Sequence, residues 1–212
     1  MGRGDRRKKA PAKRGIARSA VYCCIAPGPS LTRADCEAAR KAAEVVIVVN
    51  DAWRLCPDAD ILYACDRRWW EHHLEAVKAG FHGALWTQDQ SDDDADGPWA
   101  RSRGINVQRG REARGLGRDV MHYGGNSGYQ GINLAYLMGA GSILLLGYDM
   151  SVGPAGERHF FGNHPGNMHT GSDYTGWLPN FAALAADLRS EGVDVTNCTR
   201  RTALTCFPRG EL

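Results

Sequence analysis

Short apolar runs alternate with segments of helical spacing along most of this chain. Residues 44–50 (EVVIVVN) are the most hydrophobic run, and residues 20–26, 61–66, 83–87 and 193–197 complete the series. Runs of this length, bounded by turn residues, are typical of strands that a parallel sheet buries on both faces. We therefore predict a strand at each of them.

Helices are predicted between these strands, at residues 31–43, 67–79 and about 173–190. Ser30 stands where the first helix needs an N-cap, and Pro179 is expected to confine the regular part of the last helix to its later residues. Strands and helices that alternate with short connections predict an α/β fold. We expect a single three-layer Rossmann-like domain with a mainly parallel sheet over residues 20–212.

Residues 124–150 carry the most informative pattern. A polar glycine turn precedes a helix whose apolar positions recur at i, i+3, i+4 and i+7 from Ile132, and a glycine break leads into an apolar run at 143–146. Ligands of open α/β sheets lie outside the carboxyl ends of the strands. The segment therefore predicts Asn126, Ser127 and Asp149 at a ligand site.

The composition is that of a soluble globular protein, with 43% hydrophobic and 24% charged residues. The net charge of +2 is uneven: residues 1–18 hold eight of the 26 basic residues and one of the 24 acidic residues, which leaves 18 basic against 23 acidic residues, or −5. We predict a basic, disordered tail at residues 1–19. It serves either as a solubilising arm or as a weak contact to nucleic acid through phosphates.

Seven scattered cysteines form no CxxC pair, and no apolar run approaches the roughly 18–20 residues of a membrane span. An odd number of cysteines without a secretory signal indicates reduced thiols in a cytoplasmic protein. We expect no zinc site built from them and no membrane contact.

The first candidate for chemistry is the turn Gly28-Pro29-Ser30, which leads from a strand into a helix. Such a turn presents backbone N–H groups and the positive end of the helix dipole to a phosphate. It is neither G-x-G-x-x-G nor a Walker A loop, and prolines and glycines also form ordinary turns. The segment Asn126-Ser127-Gly128 repeats this geometry, although Asn126 or Ser127 at a helix start can also act simply as an N-cap.

Polar residues also end the second and third predicted strands. Asn50 could recognise a base or a ribose hydroxyl, and Asp66 could hold Mg²⁺ or a ribose, although both are equally common as turn residues. The polar loop at 151–172 contains His159, His164 and His169. A histidine titrates near neutrality and suits proton removal from an acceptor hydroxyl, whereas the spacing of these three gives weak support for zinc.

Taken in order, these motifs resemble a known superfamily. A strand followed by GPSL, a strand ending in Asn50, an NSG–helix–strand unit ending in G-x-D, and a terminal N-C-x₅-L motif resemble the bacterial sialyltransferases of glycosyltransferase family 42. They equally resemble the MptE-like superfamily, which includes 6-hydroxymethylpterin diphosphokinases and flagellin-modifying motility proteins. The length and plain architecture look closest to small tailed-phage members, and the resemblance covers nearly all of residues 21–208.

The resemblance implies a pocket for a nucleotide or nucleotide-sugar. The positions that it assigns to a CMP-sugar in the sialyltransferases correspond here to Gly28, Pro29, Ser30, Asn50, Asn126, Ser127 and Gly128. The strand end that closes the pocket corresponds to Gly147, Tyr148 and Asp149, and a loop histidine, His159, His164 or His169, corresponds to the catalytic base. Asp66 replaces the second asparagine of the sialyltransferases and looks more like the diphosphokinases, which use ATP with Mg²⁺.

Three functions are therefore expected as alternatives. The first is a nucleotide-dependent transferase, a glycosyltransferase with a nucleotide-sugar donor and an unknown acceptor, in which Asp66 or Asp149 assists through Mg²⁺ or a ribose contact. The second is a Mg-ATP-dependent pyrophosphokinase. The third is a nonenzymatic phage assembly or DNA-associated protein, in which the basic tail supplies the binding.

Overall fold

The computed structural model describes residues 18–89, 96–162 and 173–212. Its strands are β1 (Ala20–Ile25), β2 (Val45–Val49), β3 (Ile61–Tyr63), β4 (Ala84–Asp89), β5 (Asn106–Arg111), β6 (Met121–His122), β7 (Ala140–Leu146) and β8 (Asp194–Asn197). Its helices are α1 (Arg33–Ala42), α2 (Arg67–Gly80), α3 (Asp96–Arg101), α4 (Ser127–Leu137) and α5 (Tyr174–Ser190). A 3₁₀ turn spans Asn50–Arg54.

The strands in the described part of the chain form one eight-stranded sheet in the order β6-β5-β4-β3-β2-β1-β7-β8, and all neighbours are parallel. Side chains alternate between the two faces of each strand. Cys24 and Ile47 join the core under α4 and α5, whereas Cys23 and Val46 join the core under α1, α2 and α3. The predicted three-layer α/β fold is therefore confirmed.

Two local predictions need correction. Ser30 does not cap α1: Thr32 is the N-cap, and its hydroxyl and the Asp35 carboxylate form a capping box with each other's backbone N–H. The helix α5 runs through Pro179. Proline removes one backbone hydrogen bond of the helix, and the burial of side chains such as Phe181 and Leu184 offsets this loss.

The order of the strands places a topological switch point beside β1. The chain moves from β1 outward through β2 to β6, then returns to β7 on the other side of β1. The loops after β1 and β7 therefore leave the sheet at adjacent positions, which opens a crevice at their carboxyl ends.

Candidate functional site

A cleft of about 650 Å³ lies at this switch point, along the carboxyl ends of β1, β2, β3 and β7. It brings together most of the residues that the sequence predicted for a ligand site: Gly28, Pro29, Asn50, Asp66, Asn126, Ser127, Gly128, Gly147, Tyr148 and His159. The two loop-to-helix motifs therefore open onto the same cleft, although they are about a hundred residues apart in sequence.

The loop after β1 is fastened directly to the strand end of β7. The Gly28 N–H donates to the Gly147 carbonyl at 2.9 Å, and the Ser30 N–H donates to Asp149 Oδ1 at 3.0 Å. A Cβ on Gly28 would lie 2.1 Å from Asp149 Oδ2 and 2.3 Å from the Gly147 oxygen, so only glycine fits there. The cleft wall is thus built from two strand ends locked together.

Ser30 and Asp149, which the sequence predicted as cofactor-binding and catalytic residues, are not among the residues that line the cleft. Asp149 is 3% exposed and stands behind Gly28, where its Oδ1 accepts the Ser30 N–H. Burial raises the pKa of Asp149, and the hydrogen bonds from Ser30 oppose this effect. In this position the Asp149 carboxylate holds the loop after β1 against the end of β7.

The terminal N-C-x₅-L motif at residues 197–204 supports the floor of the cleft. The Tyr148 N–H donates to Thr199 Oγ1 at 3.0 Å, and Thr202 Oγ1 donates to the Tyr148 carbonyl at 2.6 Å. The buried Tyr148 hydroxyl then donates to the Gly128 carbonyl at 2.9 Å. This chain of hydrogen bonds connects the C-terminal segment, the end of β7 and the first turn of α4.

The start of α4 is capped by Asn126, as the sequence allowed, and it opens onto the cleft. Asn126 is its N-cap, and the side-chain oxygen of Asn126 accepts from the N–H groups of Gly128 at 2.8 Å and Tyr129 at 3.1 Å. The Ser127 N–H is the first of the helix and has no carbonyl acceptor within it. Ser127 Oγ lies 2.8 Å from Cys65 Sγ, which also lines the cleft. The helix therefore begins at the cleft with its positive end.

Asn50 and Met150 hold the left-handed conformation after β2 and β7, the two strands on either side of β1, with φ of 47° and 49°. Asparagine tolerates this region, whereas for methionine it is strained. Both residues line the cleft. The turn that begins at Asn50 is held by the buried Asp51, which accepts from Trp69 Nε1 at 2.8 Å and pairs with Arg54 at 2.9 Å. The position of Asn50 is therefore determined by contacts below the cleft.

Asp66 lies exposed in the cleft immediately before α2, and its side chain does not cap that helix. In the described residues no three histidine, cysteine, aspartate or glutamate side chains are close enough together to hold a metal ion. A Mg²⁺ ion at Asp66 would therefore need phosphate and water oxygens for most of its coordination sphere.

Arg158 is the feature of the cleft that sequence reasoning missed. It lines the cleft, and its Nη1 atom is buried without a hydrogen-bond partner. Its segment is attached to the cleft wall, because the neighbouring Phe160 N–H donates to the Pro27 carbonyl at 3.2 Å. A guanidinium nitrogen that is both buried and unpartnered is costly, and an anionic ligand would remove that cost.

Of the three candidate histidines, only His159 falls within the described residues; His164 and His169 lie outside them. The His159 ring stacks on Phe161, with ring centres 5.1 Å apart and planes at 11°. The backbone of His159 pairs with Gly162 in a short antiparallel bridge. His159 therefore has a defined position at the cleft.

Two aromatic residues of the cleft, Tyr174 and Trp177, were also not predicted as site residues. They lie in the first turn of α5, and only their i, i+3 spacing in the sequence indicates that they share a face. The two tryptophans of α2, Trp69 and Trp70, are buried, and His73 on the same helix is 4% exposed.

Outside the cleft, the body of the protein includes Arg18, which the sequence had grouped with the basic tail. The Arg18 guanidinium lies 3.8 Å from the centre of the Tyr136 ring and donates to the Tyr136 carbonyl. Residues 1–17, on which the prediction of a tail rests, lie outside the described residues. All seven cysteines are free thiols. Across the described ranges, no helix has the length and apolar character needed to cross a membrane.

Comparisons with models of protein families, with curated proteins and with solved structures find no match to this chain. The case for a function therefore rests on the geometry of the cleft.

Proposed function

We propose that this protein is a nucleotide-dependent transferase that uses a nucleotide-activated sugar as donor. The observation that carries the proposal is Arg158, whose buried, unpartnered Nη1 lies at a cleft that also holds a helix start and a glycine turn. The arginine and the helix start favour a phosphate group, and the glycine turn forms the wall beside them. The cleft lies at the switch point of a parallel sheet, where α/β proteins bind nucleotides.

The donor's phosphate lies against Arg158 and the Ser127 N–H at the start of α4, since the N–H groups of the Gly28 turn already donate within the protein. An acceptor hydroxyl attacks the sugar carbon that is bonded to the phosphate oxygen. The new carbon–oxygen bond forms as the bond to phosphate breaks, and the departing phosphate keeps the electron pair. Arg158 and the helix dipole stabilise the negative charge that develops on this leaving group.

His159 accepts the proton of the acceptor hydroxyl during the attack. It lies at the same cleft as Arg158, and the two residues are consecutive in a segment held to the cleft wall through Phe160. Proton removal by a positioned base contributes about 10²–10⁴-fold to a rate. One short segment would therefore contact both reacting groups, the leaving phosphate through Arg158 and the attacking hydroxyl through His159.

A Mg-ATP-dependent pyrophosphokinase is the second candidate, favoured by the exposed Asp66 carboxylate in the cleft. In that reaction the acceptor hydroxyl attacks the β-phosphorus of ATP, and AMP leaves with the electron pair of the broken bond. Asp66 would hold Mg²⁺ together with the phosphate oxygens. This candidate predicts strict Mg²⁺ dependence and loss of AMP release in Asp66→Asn.

Thermal unfolding in the presence of CMP, CTP, UDP, GDP and ATP, each with and without Mg²⁺, tests the proposal. At a hundredfold excess over its Kd, a nucleotide that binds only the native state stabilises it by about 2.7 kcal/mol. Arg158→Gln is expected to weaken that binding by about tenfold or more, the value of a charged hydrogen bond. The exposed Arg33→Gln, which makes the same change on α1, is the control. If none of these nucleotides stabilises the protein, the proposal is contradicted.

Release of the free nucleotide from the bound nucleotide-sugar tests the role of His159. We expect His159→Gln to lower the turnover number by about 10²–10⁴-fold while the nucleotide Kd stays unchanged. His82→Gln changes an exposed histidine that does not line the cleft and is expected to be neutral. Unchanged turnover in His159→Gln would remove this residue from the mechanism.

A further inference from the structure

Two aromatic side chains at one end of the cleft have no role in the reaction described above. Tyr174 and Trp177 project from the first turn of α5, line the cleft and are each partly exposed. Their ring centres are 5.9 Å apart and their planes meet at 83°. The pair therefore forms a right-angled corner in which one ring offers its face and the other its edge.

Local contacts hold this corner rigidly. Asp173 caps α5 by accepting the Gly176 N–H at 2.9 Å, and its carbonyl accepts the Trp177 N–H at 3.1 Å. On the other side, Asn180 Nδ2 donates to the Gly124 carbonyl at 3.0 Å. These bonds attach the first turns of α5 to the glycine turn that precedes α4.

The corner also lies next to the anion-binding end of the cleft. The indole of Trp177 is close to Gly125, where an added Cβ would lie 3.3 Å from Trp177 Nε1. Gly125 directly precedes Asn126, the cap of α4. Since the Asn126 oxygen is occupied by two amides, its Nδ2 donors are the part of that side chain left for a ligand.

We infer that Trp177 and Tyr174 form the nucleobase subsite of this cleft, with the planar base stacked on Trp177 and bounded by the edge of Tyr174. This inference rests on the proposed function, because it places the base of the same nucleotide whose phosphate contacts Arg158. A flat heterocycle fits a corner made of one face and one edge. Every base has a π face, so stacking of this kind shows little preference for one nucleobase over another.

Isothermal titration of the full-length protein with the best-binding nucleoside monophosphate and with inorganic pyrophosphate separates the two ends of the cleft. Trp177→Leu is expected to lower the affinity for the monophosphate by about tenfold, within the range for loss of one base–aromatic stack. The same variant is expected to bind pyrophosphate as the wild type does. Arg158→Gln is expected to lower the affinity for both ligands.

Trp99→Leu provides the matched control, because Trp99 is a partly exposed tryptophan on α3 that does not line the cleft. Trp177→Phe keeps an aromatic face and is expected to retain most of the affinity, which also guards against a folding defect in the leucine variant. A melting temperature for each variant accompanies the titrations.

The outcomes distinguish the two proposals. If the wild type binds pyrophosphate and a nucleotide, and Trp177→Leu loses affinity only for the nucleotide, the subsite is supported. If Trp177→Leu binds the nucleotide like the wild type, or loses both ligands equally, the base does not stack there, while the proposed function stands. If the wild type binds neither ligand, both proposals are wrong.

Discussion

Asp149 is a polar residue that joins two loops beside the cleft. Its carboxylate is buried between the loops after β1 and β7, and one oxygen accepts the Ser30 N–H. The other oxygen, Oδ2, has no hydrogen-bond partner. Burial removes water from the carboxylate and disfavours its charged form, and this raises the pKa of Asp149.

This raised pKa predicts a specific dependence of stability on pH. The native state holds the Asp149 proton more tightly than the unfolded chain does, so the free energy of unfolding falls as pH rises from about 4 through the native pKa, then levels off. Asp149→Asn keeps an acceptor oxygen without the charge. We therefore expect the free energy of unfolding of Asp149→Asn, measured in urea, to increase relative to that of the wild type as pH rises over this window.

The exposed Asp194→Asn is the control for removal of a carboxylate, and its difference from the wild type is expected to change little with pH. If the free energies of unfolding of Asp149→Asn and the wild type remain parallel from pH 4 to pH 7, burial does not govern the ionisation of Asp149.

Among the elements, α4 contributes most to the architecture of the cleft. It is buried from Gly128 to Tyr136 and crosses β1, β2 and β7. Gly131 allows this close approach, because an added Cβ would lie only 3.0 Å from Val49 Cγ2. The helix therefore presents the Ser127 N–H at the cleft, while its body packs on the strands whose ends form the other wall.

The Asn126 cap makes two effects of this helix separable. Asn126→Ala removes the acceptor for the Gly128 and Tyr129 N–H groups and is expected to lower the free energy of unfolding by about 1 kcal/mol. Asn126→Asp keeps the cap, and we expect stability close to the wild type. Its negative charge beside the anion site is expected to weaken pyrophosphate binding several-fold in low salt.

Urea unfolding and isothermal titration of both variants check this prediction. If Asn126→Asp bound pyrophosphate as tightly as the wild type, the start of α4 would not be part of the anion site.

At the scale of the whole molecule, the distribution of charge predicts a second, independent binding property. The body is acidic overall, and residues 1–17 contain seven lysines and arginines, since Arg18 packs on Tyr136. If all seven contact phosphates, the affinity for duplex DNA should fall with salt with a log–log slope of up to about −6. We expect deletion of residues 2–17 to abolish this binding and to leave nucleotide binding unchanged.

Gel-shift titrations of both proteins at several salt concentrations measure the slope. DNA affinity that survives the deletion would show that the tail is not responsible for it, and would move attention to basic side chains of the body.

Local patterns in the sequence determined the class of the fold and several residues of the cleft. Apolar runs of strand length and helical spacing are properties of neighbouring residues, so β1, β2, α2 and β8 could be predicted close to their observed bounds. Since parallel strands present their carboxyl ends at one edge, Gly28, Asn50 and Asn126 could also be assigned to one site.

Tertiary structure alone decided which polar groups line the cleft. Thr32 caps α1 through a local capping box with Asp35, whereas the Ser30 N–H donates to Asp149, which only the fold brings beside it. The strand β6 is only two residues long, Met121–His122, which is too short for an apolar pattern to predict it. Arg158 and Trp177 enter the cleft from segments without a motif, because their positions depend on contacts with Pro27 and Gly125 that lie far away in sequence.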